Sequence, residues 1–168
     1  MALRNILQND DHTLLKKSRE ITKFDSRLHT LLDDMRETLI GVNGLGLAAP
    51  QVGILRRAAI IVDLSVESET IDEQIVELIN PVIIKRAGEQ ESTEGCLSVP
   101  GIVGVVVRPD SVEVRAFDRF GNEFSYVGEG IVARAICHEV NHLDGVLFTE
   151  IAERILTEEE LEEMREQE

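Results

Sequence analysis

Apolar side chains return at Leu28, Leu31, Leu32, Met35 and Leu39 among polar neighbours, a three-to-four-residue rhythm that lays one hydrophobic stripe along a helix. The pattern predicts a helix from about Asp25 to Ile40, with Gly41 and Gly44 following as stop signals. Beyond it the rhythm changes. The β-branched runs in "RAAIIVDL" and "QIVELINPVIIKR", punctuated by Pro81, read as strands. "ESTEGCLSVPGIVGVVVRP" reads as a loop running into a strand, and "SVEVRAFD" and "EFSYVG", with alternating faces and joined across "RFGN", as a hairpin. From about Glu129 to Leu143, the residues Ile131, Val132, Ala135, Ile136, Val140 and Leu143 surround the helical axis nearly completely. This helix is therefore expected in the middle of the fold, with Gly145 as its stop. The tail "TEEELEEMREQE" opens with a capping box, Thr157 to Glu160, and reads as an exposed acidic helix over about 157–168.

Strands before and between a few helices, with no regular strand–helix alternation, predict an α+β fold. Antiparallel or mixed sheets should pack around the buried helix, with a further helix at the C-terminus. No repeat or low-complexity linker divides the chain, so residues 1–168 are expected to form one domain; 168 residues of 43% hydrophobic content can bury a core of their own.

Charge narrows the function. Seventeen basic against 32 acidic side chains give a net charge of −15, which repels phosphate backbones, so direct nucleic-acid binding is not expected. No apolar run approaches the roughly 20 residues that span a bilayer, and "MALRNILQNDD" lacks the features of a secretory signal. A cytoplasmic protein without membrane contact is the expectation, and Cys96 and Cys137 are then free thiols.

The buried helix carries "CHEVNH". Residues four apart lie about 40° from one another round a helix, so His138 and His142 share a face and can grip one ion. Glu139 lies about 100° from His138, beside such an ion, where its carboxylate suits a general base better than a ligand. Together these residues describe metal-assisted hydrolysis. Two histidines leave a catalytic site one protein ligand short. The third could come from Asp144, Glu150, Glu153 or the acidic tail, or from Cys96 in "EGCLSVP", whose thiolate suits a soft or borderline divalent ion. Taken alone, Cys96 also reads as an ordinary buried thiol, and Gln51 as a polar residue closing a loop. Cys137 is turned about 100° from His138 and reads as core.

In this order, "GLGLAAPQVG", "EGCLSVP" and "HEVNH" resemble the three signature motifs of peptide deformylases, a likeness that runs from about Gly44 to Phe148. The resemblance implies a divalent metal on Cys96, His138 and His142, ferrous iron by preference, with zinc, nickel or cobalt able to replace it. It implies Glu139 as acid and base, with Gln51 and the backbone N–H of Leu97 as donors to the developing oxyanion. Gly46 would hydrogen-bond the substrate's main chain, and Gly44 and Gly46 are expected where backbone passes close to substrate or adopts positive φ. Leu45, Ile131 and Ala135 would wall the pocket for a methionine side chain. The implied reaction removes the formyl group from nascent polypeptides that begin with formylmethionine, releasing formate. A monomer is expected.

Two features depart from the family pattern. Asn141 stands where an aspartate is usual, so a buried arginine such as Arg108 or Arg134 would meet an amide there instead of a carboxylate. The C-terminal helix is acidic, which speaks for a solubilising surface element and for transient ribosome contact at most. Two rival classes stay open on the residues alone. A general zinc peptidase would take its third ligand after His142, and a non-enzymatic metal-binding protein would have no open coordination position.

Overall fold

The computed structural model describes residues 2–167; the expected domain ends at Met1 and Glu168, and with the latter the last residue of the tail helix, lie outside them. Helix α1 (Ser26–Val42) forms where the apolar rhythm predicts it. Asp25 caps it by accepting the Leu28 N–H at 3.2 Å, and Leu28, Leu31, Leu32, Met35 and Leu39 are buried. Its stop differs from expectation. Gly41 lies inside the helix, and the chain leaves it at Asn43, in the left-handed conformation at φ 55°, which asparagine tolerates better than most side chains.

Among the described residues, eight strands form two antiparallel sheets. The larger has the order β1 (Gly46–Ala48), β2 (Ala58–Val62), β3 (Ile75–Ala87), β6 (Ser111–Phe117), β7 (Glu123–Glu129). The smaller has the order β4 (Gln90–Cys96), β5 (Val99–Arg108), β8 (Arg154–Ile155). Strand β2, "AAIIV", is buried along its whole length because both faces of the large sheet are covered. Ala58, Ile60 and Val62 pack with α1, whereas Ile61 packs with α3 (Ile131–Leu143). A short helix α2 (Ile71–Gln74) leads into β3, whose ladder to β6 shifts between Ile79 and Val82, at Pro81, which has no N–H to contribute. Asn80, at φ 50°, ties this irregularity to the N-terminal segment through both the N–H and the C=O of Ile21.

The expected loop before β5 is instead strand β4, so "QESTEGC" and "VPGIVGVVVR" form a hairpin. β4 is an edge strand, mostly exposed on both faces, so no apolar alternation marks it in the sequence. The predicted hairpin of β6 and β7 forms with its turn closed around Asp118.

Helix α3 lies between the sheets. Gly128 of β7 lets it sit close, since a Cβ there would stand 2.8 Å from Ile136 and from Val132. Ala133, Ile136, Cys137 and Leu143 are core, but the burial is less complete than the sequence suggests: Ile131 is 61% exposed where the first turn opens to a cleft. Asp144 ends the helix, and Gly145 follows at φ 74°, packed so tightly that a Cβ would lie 2.6 Å from the Leu15 carbonyl oxygen. After helix α4 (Phe148–Ile151), the exposed tail helix α5 (Glu158–Glu166) has the predicted capping box between Thr157 and Glu160.

Candidate active site

β1 and β4 are both edge strands, and a cleft of about 670 Å³ lies between them with α3 along its floor. Leu45, Gly46 and Gln51 line it from the large sheet's side, Glu94, Cys96 and Leu97 from the small one, and Ile131, Ala135, His138 and Glu139 from the helix. The residues that the sequence singles out in three separate segments therefore meet in one place.

Cys96 sits at the end of β4, where a register shift after Glu94 turns its side chain toward α3. His142 Nε2 lies 3.2 Å from Cys96 Sγ and 3.1 Å from His138 Nε2, and the three candidate ligand atoms all lie within 4.8 Å of one another. Three lone-pair donors pointed at one spot repel unless a proton or a cation stands between them. A thiolate with two imidazoles is the donor set of a soft or borderline divalent ion, and three protein ligands leave a coordination position open. The residues present thus fit a catalytic metal. Asp144, the first acidic residue after His142, is engaged instead with Arg57 at 2.9 Å.

Glu94, two residues before Cys96, is a functional residue that no sequence pattern singles out. Its carboxylate receives Arg108 at 2.6 Å, Arg134 at 2.9 Å and His138 Nδ1 at 2.6 Å. A proton held on Nδ1 by this carboxylate leaves the Nε2 lone pair of His138 free for a metal. Burial works against ionisation of Glu94, but the hydrogen bonds from His138 and Arg108 outweigh it and hold its pKa at about 2. A signal existed: two arginines at buried positions require a carboxylate, and "EGC" offers one. Asn141 also joins this cluster: its Oδ1 accepts from Arg108 Nη1, so of the two arginines expected near it Arg108 is the partner.

Glu139 is 3% exposed, and its Oε1 has no protein partner. Burial pushes its pKa up to about 7, against the influence of His138, which puts the carboxyl where it can accept and return a proton near neutrality. Its other oxygen touches β1. A Cβ on Gly46 would lie 2.4 Å from Oε2, so only glycine lets the strand pass with the carboxylate in this position. Neither Gly46 nor Gly44 has positive φ, so that reason for a glycine does not apply at either position. The neighbour approached is a protein side chain in each case: Glu139 at Gly46, and Leu39 and Leu97 at Gly44.

Gln51 is 1% exposed in a single 3-10 turn (Ala49–Val52). Its Oε1 accepts the Ala48 N–H at 3.0 Å, fixing the amide so that Nε2 donates to Ser98 Oγ at 3.0 Å and lies 3.6 Å from Cys96 Sγ. Leu97 is the residue of the tight turn between β4 and β5 next to Cys96, and its N–H has no protein acceptor among the described residues. Leu45 is 46% exposed at the cleft's rim and faces Ile131 and Ala135 across it. Cys137 is outside the cluster, buried in the core between α3 and the large sheet, where burial raises its thiol pKa.

Residues 3–157 match the family model described as polypeptide deformylase. A peptide deformylase of Caldicellulosiruptor bescii is 51% identical over 165 residues, 98% of this chain and 95% of that protein. The crystal structure of a peptide deformylase from Legionella pneumophila superposes with a TM-score of 0.82 at 38% identity, covering 98% of this chain and 92% of its own. A Met-Ala-Ser-bound class I type b peptide deformylase from Acinetobacter baumannii superposes with a TM-score of 0.80 at 30% identity, covering 88% and 97%.

Proposed function

The chain belongs to the peptide deformylase family, metal-dependent hydrolases that remove the formyl group from the N-terminal methionine of nascent polypeptides, and on that premise we propose how its own residues divide the work. Cys96, His138 and His142 hold one divalent ion, ferrous iron by preference, with zinc, nickel or cobalt as substitutes. That ion supplies Lewis acidity and brings the pKa of water toward neutrality. The observation that carries the reading is the meeting of these three donors beside a buried carboxyl, Glu139, whose pKa is raised to about 7.

Glu139 accepts the proton of the attacking water at its unpartnered Oε1. The hydroxyl adds to the formyl carbon, and Gln51 Nε2 and the Leu97 N–H donate to the oxygen on which negative charge grows. Donors fixed in advance at such a position are worth about 3 kcal/mol each. Glu139 then returns the proton to the departing nitrogen as the C–N bond breaks, leaving formate and a free amine. Glu94 keeps its own charge throughout, and so keeps His138 in one tautomer.

Substrate is held by the strand edge. The Leu45 carbonyl accepts from Val62 of β2, so the next residue, Gly46, turns its N–H and C=O outward to the cleft, where a peptide backbone can pair with them. The methionine side chain enters between Leu45, Ile131 and Ala135. Among the described residues no helix is long and apolar enough to cross a membrane. We infer a cytoplasmic monomer that meets formylated chains and touches the ribosome only transiently, as a net charge of −15 favours.

The test is formate release from formyl-Met-Ala-Ser by anaerobically prepared, iron-loaded protein beside the Cys96→Ala variant. Rapid release by the wild type, lost together with bound metal in the variant, is the expected result. Undiminished release by Cys96→Ala would refute the ligand assignment.

A further inference from the structure

Gln51 is placed by a single 3-10 turn, Ala49–Val52, and one such turn is marginal by itself because its end leaves carbonyls to be satisfied from outside. The carbonyls of Pro50 and Ala49 are taken up locally, by the N–H groups of Gly53 and Ile54. The carbonyl of Gln51 is taken up from a distant part of the chain: the N–H of Leu7 donates to it at 2.7 Å. The side chain of Leu7 rests on the same turn, its Cδ1 4.0 Å from where a Cβ on Gly53 would stand. The residue that presents its amide to the cleft is therefore held by a segment that the mechanism above leaves unused.

That segment, residues 2–8, is neither helix nor strand, and two neighbours in it enter different cores. Ile6 packs with the α1 cluster, to which Leu97 also belongs, and Leu7 with the cluster under the small sheet, to which Cys96 belongs. Two pairs of adjacent residues, Ile6 with Leu7 and Cys96 with Leu97, thus divide between the same two cores. The segment is anchored on either side of this point. Ala2 N–H donates to Asp34 Oδ1 at 2.8 Å and Arg4 N–H to Thr38 Oγ1 at 2.9 Å, both on α1, and further on Leu14 is fully buried in the cluster that takes Leu7. A strap fixed at both ends cannot shift without moving the turn it holds. We propose that Leu7 is a positioning residue for the reaction, setting Gln51 Nε2 against Cys96 and the Leu97 N–H through the backbone of the turn. The inference rests on the reading of Gln51 as a donor to the developing oxyanion.

The experiment is a double-mutant cycle on formate release from formyl-Met-Ala-Ser, using iron-loaded wild type, Leu7→Ala, Gln51→Ala and the two substitutions together. Leu7→Ala should lower kcat about tenfold with KM within about twofold, since a donor displaced by part of the ~1 Å that costs roughly a hundredfold loses correspondingly less. Leu7→Met, which refills the volume, should restore the rate. On the Gln51→Ala background Leu7→Ala should change kcat by less than about twofold, because the group it positions is gone. A loss repeated in full on that background, or an unchanged kcat in Leu7→Ala, would overturn the proposal. A second readout needs no turnover: the side-chain amide resonances of Gln51 in zinc-loaded protein, which Leu7→Ala should shift and broaden while those of Asn141, held by Arg108, stay in place. If Gln51→Ala leaves kcat unaltered, the oxyanion reading of Gln51 falls, and these resonances decide the strap by themselves: shifted they support it, identical to the wild type they overturn it. Should Leu7→Ala not fold, the milder Leu7→Val takes its place in both measurements.

Discussion

Gly46→Ala is the smallest change that should separate folding from catalysis here. The added Cβ would lie 2.4 Å from Glu139 Oε2, 2.9 Å from its Cδ and 3.1 Å from its Cγ. Ordinary contact begins near 3.4 Å, so the carboxylate must retreat by about 1 Å. Glu139 is 3% exposed and cannot swing into water, but the end of a side chain can shift within the cleft while the backbone of β1 stays paired with β2. The cost to the fold is therefore modest, about 1 kcal/mol, as for other mild overpacking. The cost to the reaction is larger, because a misplacement of about 1 Å in a proton-transferring group lowers rate by roughly a hundredfold. The assay is formate release over a range of formyl-Met-Ala-Ser concentrations, alongside thermal melting and the visible spectrum of the cobalt-loaded protein. A drop in kcat of about two orders of magnitude with an unaltered cobalt spectrum is the expected result. Full activity in Gly46→Ala would show that the position of Glu139 is not critical and would refute the reasoning.

Three further outcomes follow from the structure. Glu77, which joins Arg36 and Arg119 at 2.7 and 2.6 Å, is hindered by burial from ionising, yet the two arginines hold its pKa below the ordinary carboxylate value. Its stabilising effect is therefore complete above that value and lost as pH falls through the lower folded one, so Glu77→Gln should cost about 2 kcal/mol at pH 7 in denaturant melts, discounted because both arginines are 21% exposed, and less in acid. Asn141→Asp gives Arg108 a second carboxylate partner without touching a candidate ligand; formate release should change by less than about tenfold, and a rise of several orders of magnitude would mark the natural chain as a weakened enzyme. Removal of residues 157–168, including an exposed acidic helix with no buried side chain among its described residues, should leave activity and low-salt ribosome pelleting unchanged; binding that disappears on truncation would contradict the transient-contact reading.

The α+β class was readable because α1 and the β6–β7 hairpin have clean periods, 3.6 and 2, and each buries the face its period marks. The candidate ligands were readable for a different reason: helix geometry alone puts His138 and His142 together, and only the motif resemblance joined them to Cys96, which the fold brings within 3.2 Å of His142. What stayed hidden was set by long-range packing. Strand β4 carries polar residues on both faces because it is an edge beside a cleft, and so it gave no periodic signal. Glu94 hydrogen-bonds three groups that lie 14, 40 and 44 residues away, a relation that no local pattern encodes. The end of α1 at Asn43 and not at Gly41 was hidden likewise, since a glycine late in a helix is tolerated when the turn beyond it has a residue able to close it.

The cleft's two walls belong to different sheets, and this would give the proposed metal centre a mechanical meaning. Cys96 and His142 are 46 residues apart in sequence, and an ion gripped by both is a cross-link between the small sheet and the helix packed on the large one. A covalent link closing a loop of that length would restrict the unfolded chain by about 4 kcal/mol. If Cys96, His138 and His142 hold the proposed ion, the same three side chains would thus serve as a removable rivet, with the grip of one sheet on the other set by how firmly the ion is held.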